Sequence, residues 1–276
     1  MSDSNIDNAD ASESLRLAVA QHVPTPNAVE QSLQRIDNLA TQASDSADLL
    51  LLPEASLTGY NVSLDIARLV AVSRSSDCTE TIQTICQRAN MAIAYGYIER
   101  DGETLFNAVH VIDASGNSVA HYRKCHLWGE LDQRLFTAGN SLSPVFTLHG
   151  WQLGLLICYD VEFPEAVRHL TLQGAQVIIA PTALMQPWTF VAEHMSRVRA
   201  AENQVYFAYA NYCGSENDID YVGLSCIVAP DGDDMARAGS HPELLQATLT
   251  RAAISDIRAL VPYHVDRRPE LYSLNP

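Results

Sequence analysis

Apolar and polar positions alternate over residues 15–21, the two-residue period of a half-buried strand, and the run stops before Pro24 and Pro26. Asn27 then offers a helix N-cap with Glu30 three residues on, and Val29, Leu33, Ile36, Leu39 and Ala43 recur on one helical face. Residues 48–52 follow as a buried strand ending on Pro53-Glu54, which completes a βαβ pattern. A second helix is expected from Asp77, with Glu80 in the capping-box position and Ile82, Ile85, Cys86 and Ala89 facing inward. Strands over 91–99, 106–112 and 118–123 are divided by the turns Asp101-Gly102 and 113–117. Residues 125–143 read as a loop with one helical turn.

A hairpin over 145–157 turns at His149-Gly150 and delivers Cys158. Pro164 suits the first turn of the next helix, with Val167 and Leu170 on one face and Gly174 past its end. The strand 177–180 ends at Pro181-Thr182, and a helix over 190–203 carries Val191, Met195 and Val198 on one face. Strands over 205–210 and 224–229 flank a polar loop at 214–220. A strand at 244–249, a helix at 251–260 and an extended tail at 266–272 finish the chain. Strands outnumber helices and several are joined by hairpin-like turns, so mixed sheets are expected. Two sheets packed face to face, with helices outside, suit the count.

No linker, repeat or low-complexity segment interrupts residues 15–276, which read as one domain behind a disordered acidic tail at 1–14. That tail has neither the basic start nor the apolar run of a signal peptide, and no stretch is long enough for a membrane span, so a cytoplasmic protein is expected. A net charge of −16 argues against nucleic-acid or anionic-membrane partners, which require clustered Lys and Arg. The 6 cysteines form no Cys-x-x-Cys pair, so neither a structural zinc site nor a disulfide framework is expected.

Glu54, Lys124 and Cys158 each stand where a strand-like run gives out, so three strand ends can converge on one rim. Together they suggest a thiol nucleophile, its base, and a cation for developing negative charge. Taken singly, a cap, a solvated edge residue and a packed thiol fit as well, and residue pattern alone leaves both readings open.

Pro53-Glu54 with Gly59-Tyr60, Tyr122-Arg123-Lys124-Cys125-His126-Leu127, and Cys158-Tyr159-Asp160 with Phe163-Pro164-Glu165 occur in that order. With Arg199-Ala200-Ala201-Glu202-Asn203 and the terminal Asp266-Arg267-Arg268-Pro269, they resemble the carbon–nitrogen hydrolase (nitrilase) superfamily. Residues 124–132, 154–165, 210–214 and 221–225 resemble bacterial aliphatic amidases of the 5-aminopentanamidase and R-stereoselective amidase type. The resemblance implies an α/β four-layer α-β-β-α sandwich that assembles as a homodimer or larger homo-oligomer. It implies an amidase acting on small linear, possibly amino-bearing, primary amides through a cysteine thioester, with no metal or organic cofactor. Glu54 would be the general base, Cys158 the nucleophile, and Lys124 with the Tyr159 N–H the oxyanion donors.

By the same resemblance Glu130 positions substrate or the lysine, the alternative being a solvated loop carboxylate. Tyr60 would hydrogen-bond near the base or serve in packing alone, while Asp160 and Arg199 hold the surrounding loops. Thr182 and Ala183 follow a strand end where backbone could line the pocket, and Trp188 either walls it or joins the core. His126 and His194 are the alternative bases, less well placed than Glu54. An acidic loop of Glu216, Asp218 and Asp220 either attracts an ammonium or is merely solvated. An N-carbamoyl-amine or N-carbamoyl-amino-acid hydrolase, a nitrilase, and a non-catalytic interaction protein are the other readings.

Overall fold

The computed structural model describes residues 13–272; most of the expected tail at 1–14 lies outside that range, although Ser14 already opens the first strand. β1 (Ser14–Gln21) and β2 (Leu49–Leu51) pair in parallel around α1 (Val29–Ala43), as the βαβ pattern requires. The expected Asn27 cap does not form. Ala28 holds the N-cap position without a side-chain bond, and Asn27 turns into the left-handed region at φ 62°, a conformation asparagine tolerates. A short helix not anticipated from the pattern, α2 (Leu64–Val70), is capped by Ser63, whose Oγ accepts the Ile66 N–H. The next, α3 (Asp77–Ala89), begins where expected but is capped by Ser76. β3 (Ala92–Asp101), β4 (Thr104–Ile112) and β5 (Ser118–Arg123) form an antiparallel meander.

The stretch expected to be mainly loop contains α4 (Gly129–Leu135). β6 (Phe146–Leu148) and β7 (Trp151–Leu155) make the expected hairpin, and a 3-10 turn over Cys158–Glu162 separates it from α5 (Pro164–Leu172). β8 (Val177–Pro181) leads to a π turn at Val191–Met195 that runs into α6 (Ser196–Asn203). The wider turn admits an extra residue and rotates the buried face onto Ser196, Arg199, Ala200 and Asn203, so Val198 is exposed instead of sharing a face with Val191.

β9 (Tyr206–Ala210) follows, and the expected polar loop is a hairpin of β10 (Cys213–Glu216) and β11 (Ile219–Val222). β12 (Cys226–Val228), β13 (Asp234–Arg237), β14 (Glu243–Thr250) and α7 (Arg251–Leu260) come next. α8 (Tyr263–Asp266) precedes the tail expected to be extended, within which Pro269–Leu271 form a 3-10 turn.

Two six-stranded mixed sheets result, in the orders β14-β1-β2-β3-β4-β5 and β13-β12-β9-β8-β7-β6. Alternation along the strands builds the layers. Leu17, Val19, Leu49 and Leu51 meet Leu153, Leu155, Val177 and Ile179 in the core between the sheets. Ala18, Ala20, Leu50 and Leu52 face outward onto Ile36 and Ala40 of α1 and Ile82 and Cys86 of α3. On the other sheet, Ile178, Ala180 and Phe207 face outward onto Val167 and Leu170 of α5 and Ala200 of α6. This is the four-layer α-β-β-α sandwich. Among the described residues no helix is long and apolar enough to cross a membrane.

Candidate active site

Sheet topology explains why the three strand-end residues converge. β1, β2 and β3 are parallel, and β5 runs parallel to β3 after two antiparallel steps, so Glu54 after β2 and Lys124 after β5 emerge at one end of the first sheet. β7, β8 and β9 are parallel in the second sheet, and Cys158 and Thr182 follow the carboxyl ends of β7 and β8. The Glu54 N–H donates to the Thr182 carbonyl at 3.3 Å and ties the two strand ends together.

Glu54 is fully buried. Its Oε1 accepts from Asn107 Nδ2 at 2.6 Å and Lys124 Nζ at 2.7 Å, while Oε2 has no hydrogen-bond partner among the described residues. The turn that carries it approaches β3 so closely that a Cβ on Gly96 would lie 2.3 Å from the Ala55 nitrogen. Only glycine fits there. The buried Lys124 ammonium is shared, its second bond running to Asp132 Oδ2 at 2.7 Å. Asp132 also accepts from Tyr60 Oη at 2.9 Å and from the Trp128 N–H at 3.0 Å.

One ammonium thus faces two buried carboxylates. Burial pushes the Glu54 pKa above the ordinary carboxylate value; Lys124 opposes that shift and Asp132 adds to it. Lys124 is itself held well above the usual lysine value, since two carboxylates outweigh its desolvation.

Cys158 is buried and takes φ 45°, an unusual conformation for a residue with a Cβ, at the start of its 3-10 turn. Burial and the nearby Glu54 carboxylate hold its thiol well above the ordinary value, while Lys124 and the Ala183 backbone favour the thiolate. Asp160 fixes this turn: Oδ2 accepts from Tyr122 Oη at 2.8 Å and the Ile157 N–H at 3.0 Å. Its Oδ1 accepts from the His126 N–H at 2.9 Å and Nδ1 at 2.7 Å, so the cysteine turn is bound to the lysine segment. Arg199 secures the far side, donating to the Val161 and Glu162 carbonyls at 2.8 and 2.9 Å. Asp160 and Arg199 therefore hold loops, as expected.

Beside Cys158 lies a small cavity of about 60 Å³, walled by Tyr60, Trp128, Tyr159, Glu162, Met185 and Trp188, with Ala183 and Leu184 also lining it. Trp188 belongs to this wall and not to the core. Thr182 does not line the cavity; its hydroxyl bonds back to the Ala180 carbonyl at 3.1 Å. Tyr60 bonds to Asp132 rather than to Glu54 itself.

Two expectations need correction. Glu130 is exposed and touches neither the cavity nor the lysine; the buried carboxylate on Lys124 is Asp132, two residues further along α4. Asp132 shares its helix face with Leu135 and Phe136, and an acidic residue in that apolar set was the available signal. Secondly, Glu216 is not a solvated loop charge. It is buried and accepts from the Tyr60 and Asn61 N–H groups and Tyr221 Oη, while Asp218 and Asp220 are bonded to Asn61 and Ser215. The acidic hairpin is a brace. His126 is engaged by Asp160 and stacked on Phe163, and His194 lies beside Phe190, so neither reaches the cavity. Nothing in the sequence pattern marks Asn107 or Glu162 as site residues.

Residues 16–259 match the family described as carbon-nitrogen hydrolase. The chain is 48% identical to a Pseudomonas protegens protein named "Hydrolase in pqqF 5'region", over 94% of this chain and 91% of that one. It is 31% identical to an (R)-stereoselective amidase of Pseudomonas sp, over 84% of each. Among solved structures, a double mutant of the amidase from Nesterenkonia sp. AN1 in complex with acrylamide superposes with a TM-score of 0.86 at 33% identity, covering 95% of this chain and 97% of that one.

Proposed function

The chain belongs to the carbon–nitrogen hydrolase family and is a hydrolase of non-peptide C–N bonds; we propose that it hydrolyses small linear primary amides to the carboxylic acid and ammonia through a thioester on Cys158. The observation that carries this reading is the Glu54 carboxylate, with Oε1 anchored by Asn107 and Lys124 and Oε2 unpartnered, close enough to Cys158 to raise its thiol. A mutant of the Nesterenkonia amidase with acrylamide added at its active-site cysteine supports a thiol nucleophile.

In this mechanism Glu54 takes the thiol proton as Sγ attacks the amide carbon. The oxyanion is held by Lys124 Nζ and the Tyr159 N–H, which lies in the first turn of a 3-10 segment where backbone donors lack intrahelical partners. A donor of this kind contributes about 2.7–4 kcal/mol to lowering the barrier. Collapse of the tetrahedral intermediate breaks the C–N bond, and ammonia leaves with the proton from Glu54. Water then gives a proton to Glu54 and attacks the thioester. The second collapse releases the acid, and the proton returns to Sγ.

The reading takes residues 15–276 as one cytoplasmic catalytic domain. Self-association as a homodimer or larger assembly is supported by a groove of about 550 Å³ that leaves Val198, Ile257, Val261, Tyr263 and Tyr272 open on the outer helical layer.

Ammonia release from aliphatic amides, ω-amides, N-carbamoyl compounds and nitriles tests the reading, run beside Cys158→Ala. Amide turnover by the wild type and none by the variant, with the fold retained by circular dichroism, is expected. Residual turnover in the variant would remove the thioester route. Activity confined to ureido compounds or nitriles would move the substrate class elsewhere in the family.

A further inference from the structure

We propose that Glu162 forms a cation subsite in the cavity that Cys158 also lines, and that the enzyme selects linear amides ending in an ammonium group. The proposal deepens the amidase reading and rests on it for the reacting end of the substrate.

Glu162 is the one carboxylate among the cavity-lining residues, and its other walls are aromatic, aliphatic or the nucleophile itself. The acidic residues around it are already committed. Glu54 and Asp132 bond to Lys124, Asp160 accepts four hydrogen bonds, and Glu216 is tied to Tyr60, Asn61 and Tyr221. Among the described residues no hydrogen bond or ion pair reaches the Glu162 carboxyl. Arg199 contacts only its backbone carbonyl and spends the rest of its guanidinium on Val161 and Glu202.

A half-buried carboxylate against aromatic walls is costly to leave uncompensated. Burial does raise its pKa, with Arg199 and Lys124 at a distance pulling the other way. An ammonium entering the cavity would supply the missing partner, and the faces of Trp128, Tyr159 and Trp188 are surfaces to which a cation is attracted. Spacing limits the chain length. Cys158 and Glu162 open and close one 3-10 segment, which at about 2 Å per residue separates their Cα atoms by about 8 Å along its axis. That separation suits an amide and an amine joined by a few methylenes.

The test is the ratio of kcat/KM for 5-aminopentanamide to that for hexanamide, its uncharged isostere, in the wild type and in Glu162→Gln. Loss of a partly buried ion pair is expected to lower this ratio by at least about tenfold, mainly through KM for the amino amide. An unchanged ratio, including equal losses on both amides, would make Glu162 structural and overturn the proposal. Calorimetric binding of pentylammonium gives a readout independent of turnover. Weaker binding to Glu162→Gln supports the subsite even if neither amide is hydrolysed and the amidase reading fails; equal binding overturns it.

Discussion

Arg123 and Lys124 are sequence neighbours that serve opposite kinds of charge cluster. Arg123 donates to Glu99 through Nε at 2.9 Å and Nη2 at 2.8 Å, and His121 adds a third bond at 2.9 Å. Although Glu99 is nearly buried, these donors outweigh desolvation and hold its carboxyl at about 2. Arg123 also reaches the exposed Asp101 at 2.9 Å, so that cluster sets two donor side chains against two carboxylates. Around Lys124 the carboxylates outnumber the cation. Two buried carboxylates share one ammonium, and Glu54 moves up. A carboxylate with surplus donors is locked as an anion and is of little use as a base. One with too few donors, an unpartnered oxygen and a raised pKa is better placed to take up and return a proton. Counting donors against carboxylates separates the bracing cluster from the reactive one without reference to family.

Replacing each cation with methionine breaks the comparison most sharply. Lys124→Met leaves Glu54 and Asp132 facing each other without a countercharge. It should cost about 3–5 kcal/mol of stability, as removal of one partner from a buried ion pair does. Turnover should fall about 10²–10³-fold or more with the oxyanion donor gone. Arg123→Met leaves His121 on Glu99, costs about 1.5–3 kcal/mol, and leaves kcat of the order of the wild type. Urea unfolding with ammonia release reads both. Equal activity losses would mean that the two clusters are not functionally distinct.

The reactive cluster is only partly legible in sequence. Glu54, Lys124 and Cys158 each end an apolar or strand-like run, which leaves their chemistry open; the motif resemblance assigns it, and topology brings those ends together. Asp132 escapes notice because α4 reads as loop, so the apolar face it shares with Leu135 and Phe136 is not drawn, and the nearer acidic residue Glu130 takes its place. The layered fold is readable from alternation in β1 and from the uniformly apolar runs of β2 and β8. The buried face of α6 is not, because a π turn shifts the helical period by one residue. Polarity misleads at 214–220. Nothing in that run distinguishes a solvated loop from a hairpin whose Glu216 is buried by bonds from Tyr60 and Asn61, more than 150 positions away. The pocket role of Glu162 is likewise tertiary.

The position of the Glu54 titration sharpens the contrast in smaller steps. Activity requires its carboxylate, so the acid limb of kcat/KM should lie above the ordinary carboxylate range. Asn107 is one of its two donors and lowers its pKa. Asn107→Leu should move the limb up by about one to two pH units, the equivalent of about 1.5–3 kcal/mol for a hydrogen bond to a charged group. Asp132→Asn removes the competing carboxylate and should move the limb down, even while turnover falls because Lys124 is less firmly held. Shifts of the same sign in both variants would refute the shared-ammonium account.

Asp160 lies between the two extremes and gives the smallest effect. It accepts from three neutral donors, Tyr122 Oη and the Ile157 and His126 N–H groups, and from the one titratable donor, His126 Nδ1. The bond to Asp160 raises the His126 pKa above 6.5, despite partial burial. The unfolded chain titrates near its ordinary value, about 6.5, so the charged pair contributes fully below that pH. Its contribution is lost as pH rises through the higher folded value. The substitution His126→Gln keeps a donor without the charge, so the stability gap between wild type and variant should be greatest below about pH 6.5 and close above the folded pKa. Because the imidazole is a third exposed, solvent screening keeps the gap small. Thermal unfolding across about pH 5–9 measures it, and a gap that widens with pH would show that His126 braces the cysteine turn by packing on Phe163 and not by charge.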